Sequence, residues 1–387
     1  MNYSKGEPMI YADNASTTKI SESVLVKMLP FLQEQYGNAS NQYSLGARAM
    51  RSIDQSRKQV AKNVGAESSE IVFTSGGSEG NSWVFQGIAA LYEGQPVHII
   101  TSAVEHPSVL NACLALEKRG VSVTYLSVDG DGRISVSDLE SSLRPETKLV
   151  SIMLANNELG TIQPITEIGG ILKARGILFH TDAVQAVGHI PVNVDCMHVD
   201  FLTASAHKFN GAKGTGFIYI RSGLTLPNLI FGGKQESGRR AGTENVAGIV
   251  ALGAALEESI SMMNSEAAKK TVLVKETIEE LRAGIPDIEF NGENTERLPG
   301  ILSVTFANAS GEAMMHLLDL KGICVSTGSA CHSGNDEPSH VLLAIGLTEQ
   351  QAKSTIRISY GRYNKKENAS FIVSAICDSY SKITTNK

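Results

Sequence analysis

The chain has 387 residues, of which 42% are hydrophobic and 19% are charged, and its formal net charge is −6. This length suits two globular domains, and the composition is that of an ordinary globular protein. The negative charge gives no electrostatic reason to bind nucleic acid or a membrane. No apolar run approaches the roughly 18 residues that a membrane helix needs. Residues 1–10 are polar and lack a signal-peptide core, so we expect a cytoplasmic protein.

The five cysteines are odd in number, widely spaced and free of any CxxC pair. This pattern argues against a disulfide framework and against a structural zinc site, and it favours a reducing compartment. We expect four of them to be small hydrophobic core residues, namely Cys113, Cys196, Cys324 and Cys377.

In chain order, the sequence first predicts helices over residues 22–35 and 47–64. Short apolar runs then alternate with helical segments. The predicted strands are 71–74, 97–101, 121–126, 149–154, 177–180, 201–204 and 217–220. Four helices are predicted between these strands: one that ends near residue 92, one over 107–118, a short one around 139 and one over 165–174. This alternation predicts an α/β fold with a mainly parallel sheet covered by helices on both faces, and ligands at the carboxyl ends of its strands.

The remainder of the chain predicts a second, smaller unit. Residues 231–245 are rich in glycine and charge and indicate a loop, and a long helix over 246–281 follows. Mixed strands and helices then predict a smaller α+β domain, with strands 288–290, 302–306, 323–325 and 355–359 and helices 312–320 and 367–380. We therefore predict an N-terminal segment (1–20) that joins the small domain, a large domain (21–262) and a small C-terminal domain (263–387).

Residues 199–216 carry the most informative pattern. A short apolar strand ends in a polar turn that presents Ser205, His207 and Lys208 together. A lysine beside hydroxyl and imidazole donors suits a Schiff-base site with an anion cradle, and pyridoxal phosphate needs both features. In isolation, a solvated lysine is the commoner interpretation.

Two other strand ends carry compatible chemistry. The turn that contains Gly77 and Ser78 lies between a strand and a helix, where backbone N–H groups bind phosphate, although a generic turn has the same form. Asp182 follows another strand and could pair with a pyridinium nitrogen or cap a helix. Gln185, three residues further, could reach the ring hydroxyl from the same turn.

Single polar residues at other positions leave two interpretations open. His106 precedes Pro107 at a strand-to-helix junction, where an imidazole could stack on a flat cofactor and move protons, or be structural. Arg357 lies inside the alternating strand 355–359, as a clamp on a substrate carboxylate or as a structural ion pair.

Cys331 lies in a small, polar segment (325–338) rather than in an apolar run. A core cysteine does not usually occupy such a segment, whereas a nucleophile that must travel does. His332 follows it directly in the sequence and could favour the thiolate.

As an ordered set, these residues resemble the cysteine desulfurases, a branch of the class-V aminotransferase family with fold type I. The resemblance runs from Tyr11 to Arg362 in the expected order. Its most specific motifs lie at 74–79, 105–109, 156–160, 180–185, 205–208, 238–245 and 328–331.

The resemblance implies a pyridoxal 5′-phosphate enzyme. It implies that Lys208 carries the cofactor, that Asp182 pairs with the pyridine nitrogen, and that Gln185 pairs with the ring hydroxyl. It implies that His106 stacks on the ring and serves as an acid–base group. The implied phosphate ligands are Gly77, Ser78, Ser205, His207 and, from the neighbouring subunit of an obligate homodimer, Thr243.

For the reaction, the resemblance implies that L-cysteine is converted to L-alanine. Asn157 and Arg357 would orient the cofactor–substrate adduct and its carboxylate, and Cys331 would take the sulfur as a persulfide. The length of the Cys331 segment resembles the group that hands sulfur directly to a protein acceptor or an iron–sulfur scaffold. The Cys331 persulfide could also ligate a nascent iron–sulfur cluster in trans. Iron–sulfur assembly, tRNA thiolation and DNA sulfur modification all remain open.

Some positions depart from the family's pattern without removing a catalytic group. Ser78 stands where threonine is usual and Tyr43 where histidine is common, and the other departures are Ala12, Ala15, Ser16, Gly80 and Ser82. Two rival functions remain: a selenocysteine lyase or aminotransferase on the same fold, and a non-catalytic sulfur carrier or assembly scaffold. The Cys331 segment argues against an aminotransferase, and the intact set of Lys208, Asp182 and His106 argues against a scaffold.

Overall fold

A computed structural model describes residues 9–327 and 337–385 of the chain. Its strands, in chain order, are β1 (Ile10–Tyr11), β2 (Ile71–Thr74), β3 (His98–Ser102), β4 (Ser122–Leu126), β5 (Thr147–Ser151), β6 (Leu178–Asp182), β7 (Phe201–Ser205), β8 (Gly216–Ile220), β9 (Glu289–Asn291), β10 (Ile301–Thr305), β11 (Ile323–Cys324), β12 (Ser326–Thr327) and β13 (Thr355–Ser359).

The helices connect and cover these strands. In chain order they are α1 (Glu22–Gln33), α2 (Ser44–Val64), α3 (Gly77–Leu91), α4 (Pro107–Glu117), α5 (Val136–Ser142), α6 (Ile165–Arg175), α7 (Val246–Gly284), α8 (Gly311–Asp319), α9 (His340–Ala344), α10 (Glu349–Lys353) and α11 (Lys366–Thr385).

The largest sheet in the described chain has seven strands in the order β2-β8-β7-β6-β5-β3-β4. Neighbouring strands from β7 to β4 run parallel, whereas β8 is antiparallel to both β7 and β2. The α/β fold with a mainly parallel sheet is therefore confirmed.

Both faces of this sheet are buried. Successive residues of each strand point to opposite faces, and both sets of residues belong to hydrophobic clusters. Phe73, Ile100, Val150 and Leu202 belong to one hydrophobic cluster. Their neighbours in sequence on the other face, Val72, Ile99, Leu149 and Phe201, belong to a second cluster. Continuous apolar runs such as these are typical of strands that are covered by helices on both sides.

A four-stranded antiparallel sheet with the order β12-β13-β10-β9 carries the C-terminal part of the chain. The N-terminal strand β1 pairs in parallel with β11. Ala12 belongs to the same hydrophobic cluster as Leu273 and Ile376. The predicted domain boundary near residue 262 lies within the continuous helix α7 and stays a prediction.

Several sequence predictions differ from the structure. The predicted strand 149–154 is β5 at Thr147–Ser151, and the predicted strand 323–325 is divided between β11 and β12. That division has a physical reason, since β11 pairs with β1 and β12 pairs with β13. The prediction that Cys196 is a core residue is wrong: its side chain is exposed, in the turn before β7.

Helix α7 is the one helix in the described residues with the length and mean hydropathy to cross a membrane, although Glu257 and Glu258 interrupt its apolar run. Of its most apolar 18-residue window, 56% is buried inside the protein. Helices α1 and α2 pack against it, so packing within the chain accounts for this apolar character.

Helix α6 contains adjacent glycines in opposite environments, and they offer a test of the packing. A Cβ atom at Gly169 would collide with the backbone carbonyl oxygen of Met197, whereas one at Gly170 would meet nothing within 4 Å. We expect Gly169→Ala to lower the free energy of unfolding by about 1–3 kcal/mol. We expect Gly170→Ala to raise it by roughly 0.5–1 kcal/mol through helix propensity. Chemical denaturation measures both variants, and equal effects would contradict this packing.

Candidate functional site

A cavity of about 340 Å³ opens at the carboxyl ends of the parallel strands. Ten of the predicted site residues line this cavity. They are Gly77, Ser78, His106, Asn157, Asp182, Gln185, Ser205, His207, Lys208 and Arg357. The residues singled out from the sequence and from the family resemblance therefore meet in one place, and their individual roles stay predictions.

The turn after β7 places Lys208 at the cavity. Strand β7 ends at Ser205, and a 3-10 turn over Ala206–Lys208 follows. The Lys208 Nζ atom donates to the carbonyl oxygens of Ala15 at 2.5 Å and Ser16 at 2.9 Å. The amine is thus held against the N-terminal segment, within the cavity wall.

The backbone of this turn is also fixed, in part by the partly buried His189. The His189 Nε2 atom lies 2.9 Å from the Lys208 carbonyl oxygen, which can only accept, so Nε2 carries a proton. Burial, with the nearby charge of Lys270, lowers the pKa of His189 to about 3. His189 is therefore neutral, and its Nδ1 atom accepts from the Lys270 Nζ atom at 3.5 Å. The sequence analysis missed both residues, because nothing near them in the chain marks them.

The N-terminus of α3 lies at the end of the cavity where the sequence predicts that phosphate binds. The first N–H groups of a helix lack partners within the helix, so they are available to an anion. A Cβ atom on Gly77 would lie 2.7 Å from the Cγ2 atom of Val184, which also lines the cavity. Glycine at 77 therefore keeps the helix end and Val184 close together.

Glu79 braces this helix end. Its carboxylate accepts from the Ser75 N–H at 2.8 Å and from the Arg240 Nε and Nη2 atoms at 2.8 and 3.0 Å. The ion pair connects the loop 231–245 with the α3 N-terminus, and its two-point geometry fixes the orientation of both side chains.

Asp182 and Gln185 lie on the floor of the cavity. The Asp182 Oδ1 atom accepts from the Val184 N–H at 3.0 Å, and Oδ2 accepts from the Asn81 Nδ2 atom at 2.6 Å. Gln185 donates from Nε2 to the Ala15 carbonyl oxygen at 2.7 Å. The alternative that Asp182 caps a helix is not supported, because turns rather than a helix follow it.

Two histidines line the cavity in the neutral form. Burial lowers the pKa of His106, and Lys208 and His340 oppose its protonation further, while Asp182 favours it. Burial, with Lys208 next in effect, lowers the pKa of His207 to about 4. Near neutral pH, both imidazoles therefore serve as hydrogen-bonding groups rather than as fixed cations.

Arg357 projects from β13 and is held by three contacts. It donates to the Asn157 carbonyl oxygen at 2.9 Å, to the Asp13 carboxylate at 2.7 Å and to the Ser16 hydroxyl at 2.6 Å. Its buried Nε atom has no hydrogen-bond partner within the described residues. Both interpretations of this arginine are therefore compatible with the structure, since it forms an ion pair and still has a donor to offer.

Two predicted residues are not among those that line the cavity. Thr243 is exposed in the loop before α7, where the same chain's cavity does not include it. Cys331 lies outside the described residues, so its position relative to Lys208 stays a prediction.

Comparison with known proteins gives a consistent family. A model of the class-V aminotransferase family matches residues 10–371. A cysteine desulfurase (IscS) from Dictyoglomus turgidum is 47% identical over 367 residues, covering 95% of this chain and 93% of that protein. The chain belongs to the cysteine desulfurases of the class-V aminotransferase family. Membership makes it an enzyme of sulfur transfer, and pyridoxal phosphate is the cofactor of this family.

Two solved structures support the fold of this cysteine desulfurase. A NifS-like protein is 36% identical with a TM-score of 0.92, covering 97% of this chain and 100% of that one. A structure described as SspA in complex with cysteine is 37% identical with a TM-score of 0.82, covering 92% of this chain and 100% of that one. Fold type I is therefore confirmed.

The donor set of the cavity fits pyridoxal phosphate. The cavity offers a primary amine on Lys208, a carboxylate on Asp182 and, on Ser205 and His207, polar groups beside a helix N-terminus. These groups match an aldehyde, a pyridine nitrogen and a phosphate, respectively. The lining holds two basic side chains, Lys208 and Arg357, against the one carboxylate of Asp182, so the site suits an anionic ligand.

The buried carboxyl of Glu105, next to His106 in the chain, should make the stability of the protein depend on pH. Burial raises the pKa of its carboxyl to about 8, and the Ser102 hydroxyl and the Met153 N–H both donate to Oε1. Between the ordinary value of 4.5 and about 8, the folded protein keeps a proton that the unfolded chain releases. Stability contributed by this group is therefore full below 4.5 and is lost as pH rises through that window.

We expect Glu105→Gln, which retains the shape but cannot titrate, to reduce the fall in melting temperature between about pH 5 and pH 8. Glu93→Gln is the matched control, because Glu93 is exposed. Thermal unfolding across this pH range measures the effect. An unchanged slope in Glu105→Gln would show that Glu105 is ionised in the folded protein.

Proposed function

We propose that this protein is a pyridoxal phosphate-dependent cysteine desulfurase that converts L-cysteine to L-alanine. The observation that carries the proposal is the placement of the Lys208 amine and the Asp182 carboxylate in one cavity, with Arg357 on its wall. An amine for the aldehyde, an anion for the ring nitrogen and a cation for the substrate carboxylate are the three groups that this chemistry needs.

Each cavity residue has a proposed role toward the cofactor. Lys208 carries it covalently, and Asp182 retains a proton on the pyridine nitrogen. When bound, the cofactor withdraws electrons from the substrate's α-carbon and weakens the bonds there. Gln185 would contact the ring hydroxyl, and Gly77, Ser78, Ser205 and His207 would hold the phosphate.

Substrate orientation is assigned to Arg357 and Asn157. Arg357 is almost fully buried, and its contacts with Asp13 and Ser16 fix the plane of the guanidinium. A fixed guanidinium recognises a carboxylate with defined geometry. His106, which is held in the neutral form, is the proposed group that exchanges protons with the substrate.

The sulfur step is assigned to Cys331. The Cys331 thiolate attacks the sulfur of cysteine, the bond between that sulfur and the substrate's β-carbon breaks, and the carbon fragment gains a proton. The products are alanine and a persulfide on Cys331, so that sulfur, protons and electrons balance. The persulfide then passes its outer sulfur to an acceptor protein.

The partners follow from the same proposal. We infer an obligate homodimer in which Thr243 completes the phosphate site of the neighbouring subunit, which agrees with its exposure in a single chain. The acceptor is a protein of iron–sulfur assembly or another sulfur pathway, and the Cys331 persulfide can ligate a nascent cluster. The cytoplasm is the proposed location, where cysteine is available and thiols remain reduced.

A pair of cysteine variants tests the role of Cys331. We expect Cys331→Ala to lose at least about 100-fold in alanine formation, because an attacking nucleophile is removed, and to retain cofactor binding. Cys196→Ala is the matched control, because Cys196 is exposed and lies outside the cavity. Alanine and sulfide are measured with L-cysteine as substrate.

Full desulfurase activity in Cys331→Ala would refute the role given to this cysteine. Alanine release with selenocysteine but not with cysteine would favour the selenocysteine lyase. A wild-type protein that binds no pyridoxal phosphate would favour the scaffold.

A further inference from the structure

Two side chains that the sequence analysis did not single out connect Asp182 with His106. Asn81, in α3, is completely buried. Its Nδ2 atom lies 2.6 Å from the Asp182 Oδ2 atom and 2.9 Å from the Ser108 Oγ atom. Ser108 Oγ in turn lies 2.8 Å from the His106 Nδ1 atom. Four side chains, from β6, from α3 and from the N-terminus of α4, thus form one continuous hydrogen-bonded series.

The amide of Asn81 determines which atoms of this series donate a hydrogen bond and which accept one. An amide nitrogen carries two hydrogens and accepts none, and a carboxylate only accepts. Asn81 therefore donates one hydrogen to Asp182 and the other to Ser108. With the amide reversed, its oxygen would face the Asp182 carboxylate at 2.6 Å, which is repulsive. In the observed orientation, Oδ1 is the atom that has no hydrogen-bond partner among the described residues.

The same donor and acceptor assignments determine which nitrogen of His106 carries the proton. Because Ser108 Oγ accepts from Asn81, its own hydrogen is free to point to the His106 Nδ1 atom. The backbone N–H of Ser108 also lies 3.1 Å from Nδ1, and a backbone N–H can only donate. Two donors therefore converge on Nδ1, which must hold its lone pair. The proton of the neutral imidazole is consequently on Nε2.

We propose that Asn81 is a positioning residue that orients the Asp182 carboxylate and, by directing the Ser108 hydroxyl to Nδ1, acts together with the Ser108 backbone N–H to favour the Nε2–H tautomer of His106. The proposal rests on the proposed function in so far as Asp182 and His106 face the cofactor. It deepens that function, because one buried amide sets both the acceptor for the ring nitrogen and the nitrogen from which His106 can exchange a proton.

The variants follow from the chemistry of the amide. Asn81→Asp keeps the shape, and 2.6 Å from the Asp182 carboxylate the new carboxyl retains one proton, which it donates to Asp182. Its other oxygen can only accept, so the Ser108 hydroxyl turns to that oxygen and presents its lone pair to His106. Asn81→Ser removes the contact with less electrostatic change and covers the case in which the aspartate variant folds poorly. Ser82→Ala, one residue further along α3, is the matched control.

The direct readout is the tautomer of His106 in protein labelled with ¹⁵N in its histidine rings. NMR resolves a nitrogen that carries a proton from one that does not, and a His106→Gln sample identifies the His106 signals. We expect an unprotonated Nδ1 and a protonated Nε2 in the wild type and in Ser82→Ala, with and without pyridoxal phosphate. We expect Asn81→Asp to give a measurable fraction of the Nδ1–H form, because the Ser108 hydroxyl then presents a lone pair to Nδ1 while the Ser108 backbone N–H still opposes that form. We expect Asn81→Ser to give a smaller fraction.

Steady-state kinetics provides the second readout. We expect kcat to fall roughly 10- to 100-fold in the Asn81 variants while KM for L-cysteine changes little, since Arg357 is untouched. A wild-type His106 in the Nδ1–H form would overturn the proposal, as would an Asn81→Asp variant with the wild-type tautomer. The expected tautomers in a protein that binds no pyridoxal phosphate would support the relay and refute the proposed function, so the two failures are distinguishable.

Discussion

The position of the Lys208 amine at the end of β7 is the constraint on which the site depends. Its backbone carbonyl accepts from His189, and its side chain donates to Ala15 and Ser16 in the N-terminal segment. The preceding carbonyl, of His207, accepts from the N–H and hydroxyl groups of Thr18. The lysine is thus held by residues that lie far from it in sequence.

The same N-terminal segment connects the lysine with the arginine of the cavity. Asp13 pairs with Arg357, and Asn14 donates to the Ser359 carbonyl at 2.9 Å on the same strand. The segment therefore lies between the turn that carries the amine and the strand that carries the guanidinium. This arrangement fixes the position of the Lys208 amine relative to the Arg357 guanidinium, which is the kind of preorganisation that the proposed function requires.

Burial also determines the protonation states around the cavity. It keeps His106, His189 and His207 neutral, so hydrogen bonds rather than charges determine what each imidazole does. It likewise keeps Glu105 protonated at neutral pH. A second buried carboxyl, Glu158, accepts from Ser339 at 2.6 Å, and burial raises its pKa to about 7. The fixed charges of the site are therefore few, and each has a defined partner.

The sequence predicted the parallel sheet and the polar turns that meet at the carboxyl ends of its strands. The family resemblance added Asn157, and Arg357 reaches the same cavity from β13 of the smaller sheet. The sequence did not predict Asn81, His189 or Asp13 as parts of the site. Their roles come from contacts across large distances in sequence, such as the separation of 101 positions from Asn81 to Asp182. The exposure of Cys196 was not predicted for a related reason: the residues around it in the sequence do not show whether its side chain points to the core or to solvent.

The visible absorption spectrum of the purified protein, before and after addition of L-cysteine, tests the central claim most directly. Alanine and sulfide are measured in the same sample. If Lys208 carries pyridoxal phosphate, the protein has a band of the lysine-bound cofactor that changes on addition of cysteine, and alanine accumulates. A protein that remains colourless after incubation with pyridoxal phosphate, and that forms no alanine, would contradict the assignment of Lys208 and with it the desulfurase.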